Sequence, residues 1–488
     1  MLHTPRRATR VIADFHVHSR FARACSKHLT LPVMAAWARV KGIDLLGTAD
    51  FTHPVWLSEI GGQLTEDGAG IYKLRDECAV DLPYAVKNPR PVRFILTHEI
   101  ATIWSQGGKL RRVHTILVSP SIEAAVALTN LLTPRGKLGA DGRPILGMSC
   151  RELAEIAWSV DERTLVIPAH AWTPWFAIFG SQSGFDSLAE CFGADLVDRI
   201  PAIETGMSSD PAMNWRLSAL DQVALISCSD AHSPDNLGRE ATVFHVEDAL
   251  SFDLIAQMIR AGAPAYRQTH SNLHFSSVNG GVSAITNHES SITNYLDSTI
   301  EFFPQEGKYH HDGHRVCGVN WSPEERQRHG GICPSCGKPV TIGVLSRIDE
   351  LADRPHGFVP DGAPGSKSIV PIRDIASEML GVGKKSKAVD RLYATLVESL
   401  GPEFDILLDT PTNQIATLPN LHPPSLSFGR AGFSSGNGEV SAAGQFASIV
   451  EQMRAGNVTM TPGFDGVYGK LRLPERAHAP QGSLFQAA

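Results

Sequence analysis

Short apolar runs recur along the first three hundred residues, and a polar cluster follows most of them. The runs are Val11 to Ala13, Leu45 to Thr48, Val92 to Leu96, Thr115 to Val118, Thr164 to Ile167 and Val223 to Ile226. Runs this short, bounded by turn residues, read as buried strands. Helical patterns lie between them, over Leu31 to Lys41 and Ser149 to Ser159. The second opens on Ser149 with Glu152 three residues on, the spacing of a capping box. Alternating strands and helices predict an α/β fold built on a parallel sheet, as a barrel or a doubly wound sheet.

Beyond residue 303 the pattern changes. Residues 304–346 are turn-rich and hold a cysteine cluster, which predicts a small module between a barrel domain (1–303) and a mainly helical C-terminal region (347–488). Helical periodicity over Ile348 to Leu400 is broken by the Pro/Gly stretch His356 to Gly365. A Ser/Gly/Pro-rich segment near 419–444 reads as a flexible loop. Phe446 to Arg454 and Val467 to Leu473 then predict a helix and a strand.

Composition narrows the setting. A chain of 488 residues exceeds one ordinary core, so two or three domains are expected. The longest apolar runs are far short of a membrane span. The start, MLHTPRRATRVIADF, has no apolar segment of a secretory signal, so a cytoplasmic location is expected. Cys25, Cys78, Cys150, Cys191 and Cys228 are isolated, which fits a reducing compartment. The formal charge of −7 argues mildly against a general nucleic-acid binder, although it does not exclude a local basic patch.

The polar clusters carry the chemistry. Asp14, His16 and His18 close the first run, Asp50 and His53 follow the second, and Glu99 follows the third. His114 opens the fourth, His170 follows the fifth, Glu204 stands farther on, and Asp230 and His232 follow the last. Ligand sites of α/β folds lie at the carboxyl ends of their strands, and most of these residues obey that rule. His16 and His18, two apart on an extended segment, point to the same side. Imidazoles and carboxylates together suit zinc, manganese or iron, with magnesium a further candidate, and without cations such a rim would be costly. Two close cations would activate a water and stabilise both oxygens of a phosphoester displacement. Either Asp50 or His232 could move protons.

The segments DFHVHS, TADFTH, THE and SDAHS resemble the polymerase and histidinol phosphatase (PHP) superfamily. The resemblance implies a distorted (β/α)7 barrel with up to three metals. His16, His18, Glu99 and Asp230 would hold one, and Glu99 would bridge to a second held by His114 and His170. Asp50, His53 and His232 would serve a third. Here the sequence departs from the superfamily, because Phe51 and Thr52 separate Asp50 from His53. Asp50, Glu99, Asp230 and His232 are the implied catalytic residues. Farther on, His314-x-x-Cys317 and Cys333-Pro-Ser-Cys336 have the spacing of one structural zinc site, with His310 and His311 as competitors for His314.

Barrel, cysteine knuckle and helical region in this order resemble the endonuclease Q family. The blocks that carry the likeness include Glu204 to Arg216, Ser229 to Glu240, Arg347 to Pro355 and Pro462 to Gly469. The family nicks DNA on the 5′ side of deaminated bases (uracil, hypoxanthine, xanthine) and at abasic sites, so such DNA is the implied partner. The C-terminal region would then contact DNA. Trp172, Asn214, Arg216 and Arg239 are candidate substrate contacts. Lys384 and Lys385 suit either a phosphate site or a solvated face. Gln481-Gly-Ser-Leu-Phe485 resembles a sliding-clamp-binding peptide. The competing readings are a histidinol-phosphatase-like enzyme of small molecules, a DNA-damage binding protein with an inactive barrel, and a proofreading exonuclease.

Overall fold

The computed structural model describes residues 9–269, 273–278, 281–286, 294–419 and 441–472. Eight strands surround one apolar interior: β1 (Thr9–Asp14), β2 (Leu45–Gly47), β3 (Arg93–Gln106), β4 (Lys109–Ser119), β5 (Leu165–Pro168), β6 (Ala202–Glu204), β7 (Ala224–Ile226) and β8 (Ala241–Val246). Each sends a side chain into a single cluster that includes Ala13, Leu45, Ile95, Ile116, Ile167, Ala202, Ile226 and Phe244. The fold is therefore the expected mixed α/β barrel, and it is distorted. The parallel pair β6–β7 joins its neighbours through isolated bonds, such as the Ala171 amide to the Glu204 carbonyl (3.0 Å) and the Ser227 amide to the Thr242 hydroxyl (3.0 Å).

The ladder departs from the parallel expectation at three strand pairs, one of them a hairpin. β3 and β4 are antiparallel along their whole length and turn at Gly107 and Gly108, both with positive φ (61° and 72°). A two-residue turn of this kind fits the twist of antiparallel strands, and a parallel pair would need a crossover. β4 pairs antiparallel with β5, and β1 with β8. The apolar runs at Val92 and Thr115 mark only the outer ends of this hairpin, because its middle alternates with the polar residues of the site.

The helix over Leu31–Lys41 forms where expected and stops at Gly42 (φ 87°). Ser149 caps the helix Cys150–Val160 by accepting the Glu152 amide at 3.1 Å, but the Glu152 carboxylate turns away to Arg135, so only half of the capping box forms. Two further strands, β9 (Tyr295–Phe302) and β10 (Gly365–Ile369), extend the sheet from β8. β10 belongs to the region expected to be mainly helical, so the sheet crosses the boundary at residue 303. Helices Ile372–Leu380, Lys387–Leu400, Glu403–Leu408 and Ala442–Arg454 make up most of the rest. Residues 420–440 and the peptide Gln481–Phe485 lie outside the described residues. Among the described residues no helix is long and apolar enough to cross a membrane.

A buried ion pair fastens the helical region to the barrel. Lys41, at the end of the first helix, lies 2.6 Å from Glu403, and both side chains are about 4% exposed. Glu403 also accepts the Ile372 amide (2.9 Å) and the Tyr393 hydroxyl (2.8 Å). Removing one partner of such a pair strands the other charge. Lys41→Ala is therefore expected to destabilise the chain by roughly 3–5 kcal/mol in urea unfolding, with Glu403→Leu in the same background restoring part of it. An unchanged unfolding midpoint in Lys41→Ala would show that the pair does not join the two parts.

Candidate active site

The hairpin geometry brings the first two ligating groups together. Ala101 pairs with His114 and Glu99 with Ile116, so Glu99 and His114 are diagonal neighbours on one face. The Glu99 Oε1 lies 2.5 Å from His114 Nδ1. Both residues sit inside the ladder, not at the strand ends that the sequence pattern suggested. Just past β1, Val17 forms a parallel bridge with Ala231, and His16 and His18 flank it on one side. Asp14 anchors that contact by accepting the Ser229 amide (3.0 Å), the Ser229 hydroxyl (2.6 Å) and the Gly238 amide (3.0 Å). This holds the loop carrying Asp230 over the end of β1. Asp50, His170 and Asp230 have φ of 40°, 28° and 46°, left-handed conformations that cost of order 1–3 kcal/mol each and survive only where the surroundings fix them.

Two clusters result. His16, His18 and Asp230 form one, and Glu99, His114 and His170 the other, with ligand atoms in each within 4.8 Å of one another. Glu99 connects them: Oε1 is 3.5 Å from His16 Nε2 and 3.4 Å from His170 Nε2, and Oε2 is 3.5 Å from His18 Nε2. His18 Nε2 is 2.9 Å from Asp230 Oδ1. Outer groups turn the rings inward. Glu204 lies 3.0 Å from His16 Nδ1 and accepts the His170 amide at 2.5 Å. The Thr173 hydroxyl lies 3.1 Å from His170 Nδ1, and Asp50 faces His18 Nδ1 at 3.5 Å. A carboxylate on one ring nitrogen fixes the tautomer and presents the other nitrogen to a metal.

The donor set fits divalent cations. His16 Nε2 is buried without a hydrogen-bond partner and points at Glu99. Burial alone would raise the Glu99 pKa, but His114, Arg143 and His16 hold it well below the usual carboxylate range. Asp230 is held down against burial in the same way, by His18, His16 and His232. Burial lowers His114 to about 4, whereas for His18 the effect of burial is overcome by Asp230 and Asp50, which raise it to about 9. Carboxylates this firmly ionised in a dry rim call for cations.

Several expected contacts fall elsewhere. His53 caps the helix Pro54–Gln63, its Nδ1 accepting the Trp56 amide at 3.4 Å, and its ring stacks on Phe21 at 4.1 Å. Asp50 is engaged by the Ser19 amide (2.8 Å) and hydroxyl (2.5 Å). Among the described residues Asp50, His53 and His232 therefore gather no third cluster. His232 donates from Nδ1 to the Asp230 carbonyl (2.8 Å), packs on His18, and is one-third exposed at the rim. Trp172 and Asn214 are buried and bonded to each other at 2.7 Å, and Arg216 is buried in an ion pair with Asp349. Polar groups in the interior need partners: Trp172 and Asn214 supply them to each other, and Arg216 finds its own in Asp349 on the helix Val344–Leu351. Arg239 donates from Nε to the Ser229 carbonyl (2.7 Å), which braces the Asp230 loop. Lys384 pairs with Asp374, while Lys385 is exposed in the turn before helix Lys387–Leu400.

One residue that the structure brings to the site escaped the sequence reading. Arg143 reaches the shared carboxylate, with Nη1 3.1 Å from Glu99 Oε2, from a loop that Asp141 shapes by accepting the Arg143 amide (3.0 Å). No strand end precedes it, so position along the chain gave no signal. Its only local mark is the Asp-Gly turn at Asp141–Gly142. Glu204, noted in the sequence without a role, orients His16.

In the small module His314, Cys317, Cys333 and Cys336 converge within 4.8 Å. His311 is bound to Asn320 and His310 is buried near the Ser208 carbonyl, which leaves His314 in the cluster. Desolvation opposes ionisation of Cys333, but His314 and the Ser335 and Cys336 amides bring its thiol down to about 6. Three thiols and an imidazole at this spacing suit tetrahedral zinc.

A mixed barrel with a histidine–carboxylate rim defines a metal-dependent phosphoesterase fold. Within that class the chain is similar to endonuclease Q along nearly its whole length. The lesion-specific endonuclease PfuEndoQ of Pyrococcus furiosus matches at 27% identity and a TM-score of 0.73, over 96% of each chain. An endonuclease Q in complex with a 27-mer duplex carrying an abasic lesion at its active site matches equally, at 27% and 0.73, over 96% of this chain and 97% of that one. The uncharacterized protein MJ0043 of Methanocaldococcus jannaschii is 26% identical over 311 residues, 62% of this chain. That stretch is 31% of MJ0043, so the chain spans about a third of that relative. A family model described as the MJ0043 C-terminal domain matches residues 371–421.

If Glu204 orients His16, Glu204→Gln weakens metal binding with little effect on the fold. A loss of about 10–100-fold in affinity is expected in a chelator-competition titration, the usual cost of an outer-shell carboxylate. Wild-type affinity in that variant would leave Glu204 without this role.

Proposed function

We propose that the chain is a lesion-directed DNA endonuclease that hydrolyses the phosphodiester on the 5′ side of deaminated bases (uracil, hypoxanthine, xanthine) and at abasic sites. The observation that carries the reading is the likeness, over almost the full length, to an endonuclease Q bound to a duplex with an abasic lesion. The site supports it independently, with two ligand clusters sharing one carboxylate.

Divalent cations held by His16, His18, Asp230 and Glu99 on one side, and by Glu99, His114 and His170 on the other, would activate water and offset charge on the phosphate. The chain's own groups do the remaining work. Asp50 positions His18, and Glu204 positions His16. Arg143, about a quarter exposed, can bridge from Glu99 to a phosphate oxygen. His232 commits Nδ1–H to the Asp230 carbonyl, which leaves the Nε2 lone pair at the rim to take up a proton from the attacking water. Lys385, in the turn before a capped helix, suits a neighbouring phosphate. A deaminated or absent base costs less to take out of the stack than a paired one, which supplies selectivity before any contact is made. The small module would hold one structural zinc.

The test is a nicking assay on 5′-labelled duplexes carrying one uracil, one hypoxanthine, one abasic site or no lesion, with Mn²⁺ or Mg²⁺. A single cut 5′ to the lesion is expected, lost in EDTA and in Asp230→Ala. Equal cutting of the undamaged control, or hydrolysis of histidinol phosphate without any lesion-dependent cut, would return the chain to general nucleases or small-molecule phosphatases.

A further inference from the structure

The block Pro462 to Gly469 is absorbed by neither the metal rim nor the zinc cluster. It forms a tight turn, with Phe464 and Val467 exchanging backbone bonds (3.0 and 2.8 Å) and Asp465 and Gly466 at positive φ (40° and 87°). The amides of Gly463, Gly466 and Gly469 each bond at 2.8 Å to the carbonyls of Gln305, Lys308 and Glu306. Asp465 accepts the Arg315 amide (2.7 Å) and the Thr341 hydroxyl (2.8 Å), which locks the turn to the small module. A Cβ at Gly469 would lie 2.1 Å from the Gln305 carbonyl, so only glycine allows this docking.

So rigid a turn presents an aromatic ring to solvent. Tyr468 is 53% exposed, and Lys308 Nζ stands 5.7 Å from its ring centroid. The ring borders a cleft of about 360 Å³ lined also by Phe464, Lys470, Arg472 and Glu378. The turn is linked to the candidate active site by contacts: the Tyr309 amide, beside the docked segment, donates to the Ser208 hydroxyl (3.4 Å), and Arg239, which braces the Asp230 loop, reaches the neighbouring Met207 sulfur at 3.1 Å. An aromatic face with cations around it is the composition of a stacking platform for an unpaired base, since every base has a π-face and a charged backbone.

Glu378 decides which base. An ionised carboxylate accepts hydrogen bonds and donates none. Deamination replaces amine donors by carbonyl acceptors, so the damaged base is a poor match. Guanine presents two donors, N1–H and the N2 amine, side by side on its pairing edge. When a uracil derived from cytosine leaves the stack, guanine is the base left without a partner.

We propose that the cleft between Tyr468 and Glu378 takes the base opposite the lesion, stacked on Tyr468 and bonded to Glu378, with a preference for guanine. This rests on the endonuclease reading above, and it adds recognition of the undamaged strand.

Abasic duplexes provide the test, because an abasic site has no pairing strength that could differ between partners. Guanine, adenine (whose pairing edge carries a single donor) or thymine is placed opposite the abasic site. Binding is followed by fluorescence anisotropy with Ca²⁺ in place of the catalytic metal, and nicking with Mn²⁺. Wild type is expected to bind the guanine duplex about ten-fold tighter than the other two. Glu378→Ala should abolish the difference, while Tyr468→Ala should weaken all three. Circular dichroism checks that both exposed-site variants remain folded. No dependence on the opposite base in wild type, or a dependence that persists in Glu378→Ala, would overturn the proposal. Lesion-dependent nicking would still stand in that case. Loss of lesion-dependent nicking with the guanine preference in binding intact would instead remove the endonuclease reading.

Discussion

A carboxylate buried among imidazoles in a barrel mouth needs cations or hydrogen-bond donors close to it, and partners reach Glu99 from three directions. His114 and His170 lie to one side, His16 and His18 to another, and Arg143 approaches from a loop. Removing one charge from such a group leaves the others uncompensated, because the protein interior screens poorly. The site is therefore a single electrostatic unit centred on one side chain. Its two clusters are linked because Glu99, grouped with His114 and His170, also reaches His16 and His18 at 3.5 Å.

Much of the surrounding fold can be understood as the means of holding that unit. The β3–β4 hairpin sets Glu99 and His114 diagonally on one face, and its Gly-Gly turn is what permits an antiparallel pair in an otherwise alternating α/β chain. Asp14 fixes the Asp230 loop onto the first strand with three hydrogen bonds. Asp50, His170 and Asp230 keep strained backbone conformations because their neighbours leave no alternative. The buried pair Lys41–Glu403 joins the helical region to the barrel, and the turn at Gly463–Gly469 fastens the C-terminal segment to the small module. Any duplex lying across the barrel mouth would thus meet surfaces held in fixed relation to it.

The ligands were legible in the sequence because strand periodicity and strand ends are local signals. His16 and His18 share a side since they are two residues apart, and Asp230 and His170 follow recognisable strands. Spacing alone marked the three clustered cysteines, whereas the choice of His314 over His310 and His311 depended on the fold. What the sequence hid depends on contacts made across the fold. Arg143 reaches Glu99 from a loop with no periodic mark. The superfamily resemblance implies His53 as a ligand, and the structure shows it capping the helix that begins one residue later. Trp172, Asn214 and Arg216 read as substrate contacts because they are polar or aromatic near the barrel loops, but all three are buried, with Trp172 bonded to Asn214 and Arg216 paired with Asp349. Strand β10 was missed because Gly365–Ile369, with two serines and a lysine, has little apolar patterning of its own and gains its place by pairing with β9.

The central claim is that Glu99 is shared by two metal positions, and metal-specific anomalous scattering from crystals grown with Mn²⁺ tests it most directly. The account predicts two anomalous peaks, one on each side of the Glu99 carboxylate, the first contacted by His16, His18 and Asp230 and the second by His114 and His170. A single peak that Glu99 does not touch, or a peak at Asp50 and His53 with none between Glu99 and His170, would contradict it.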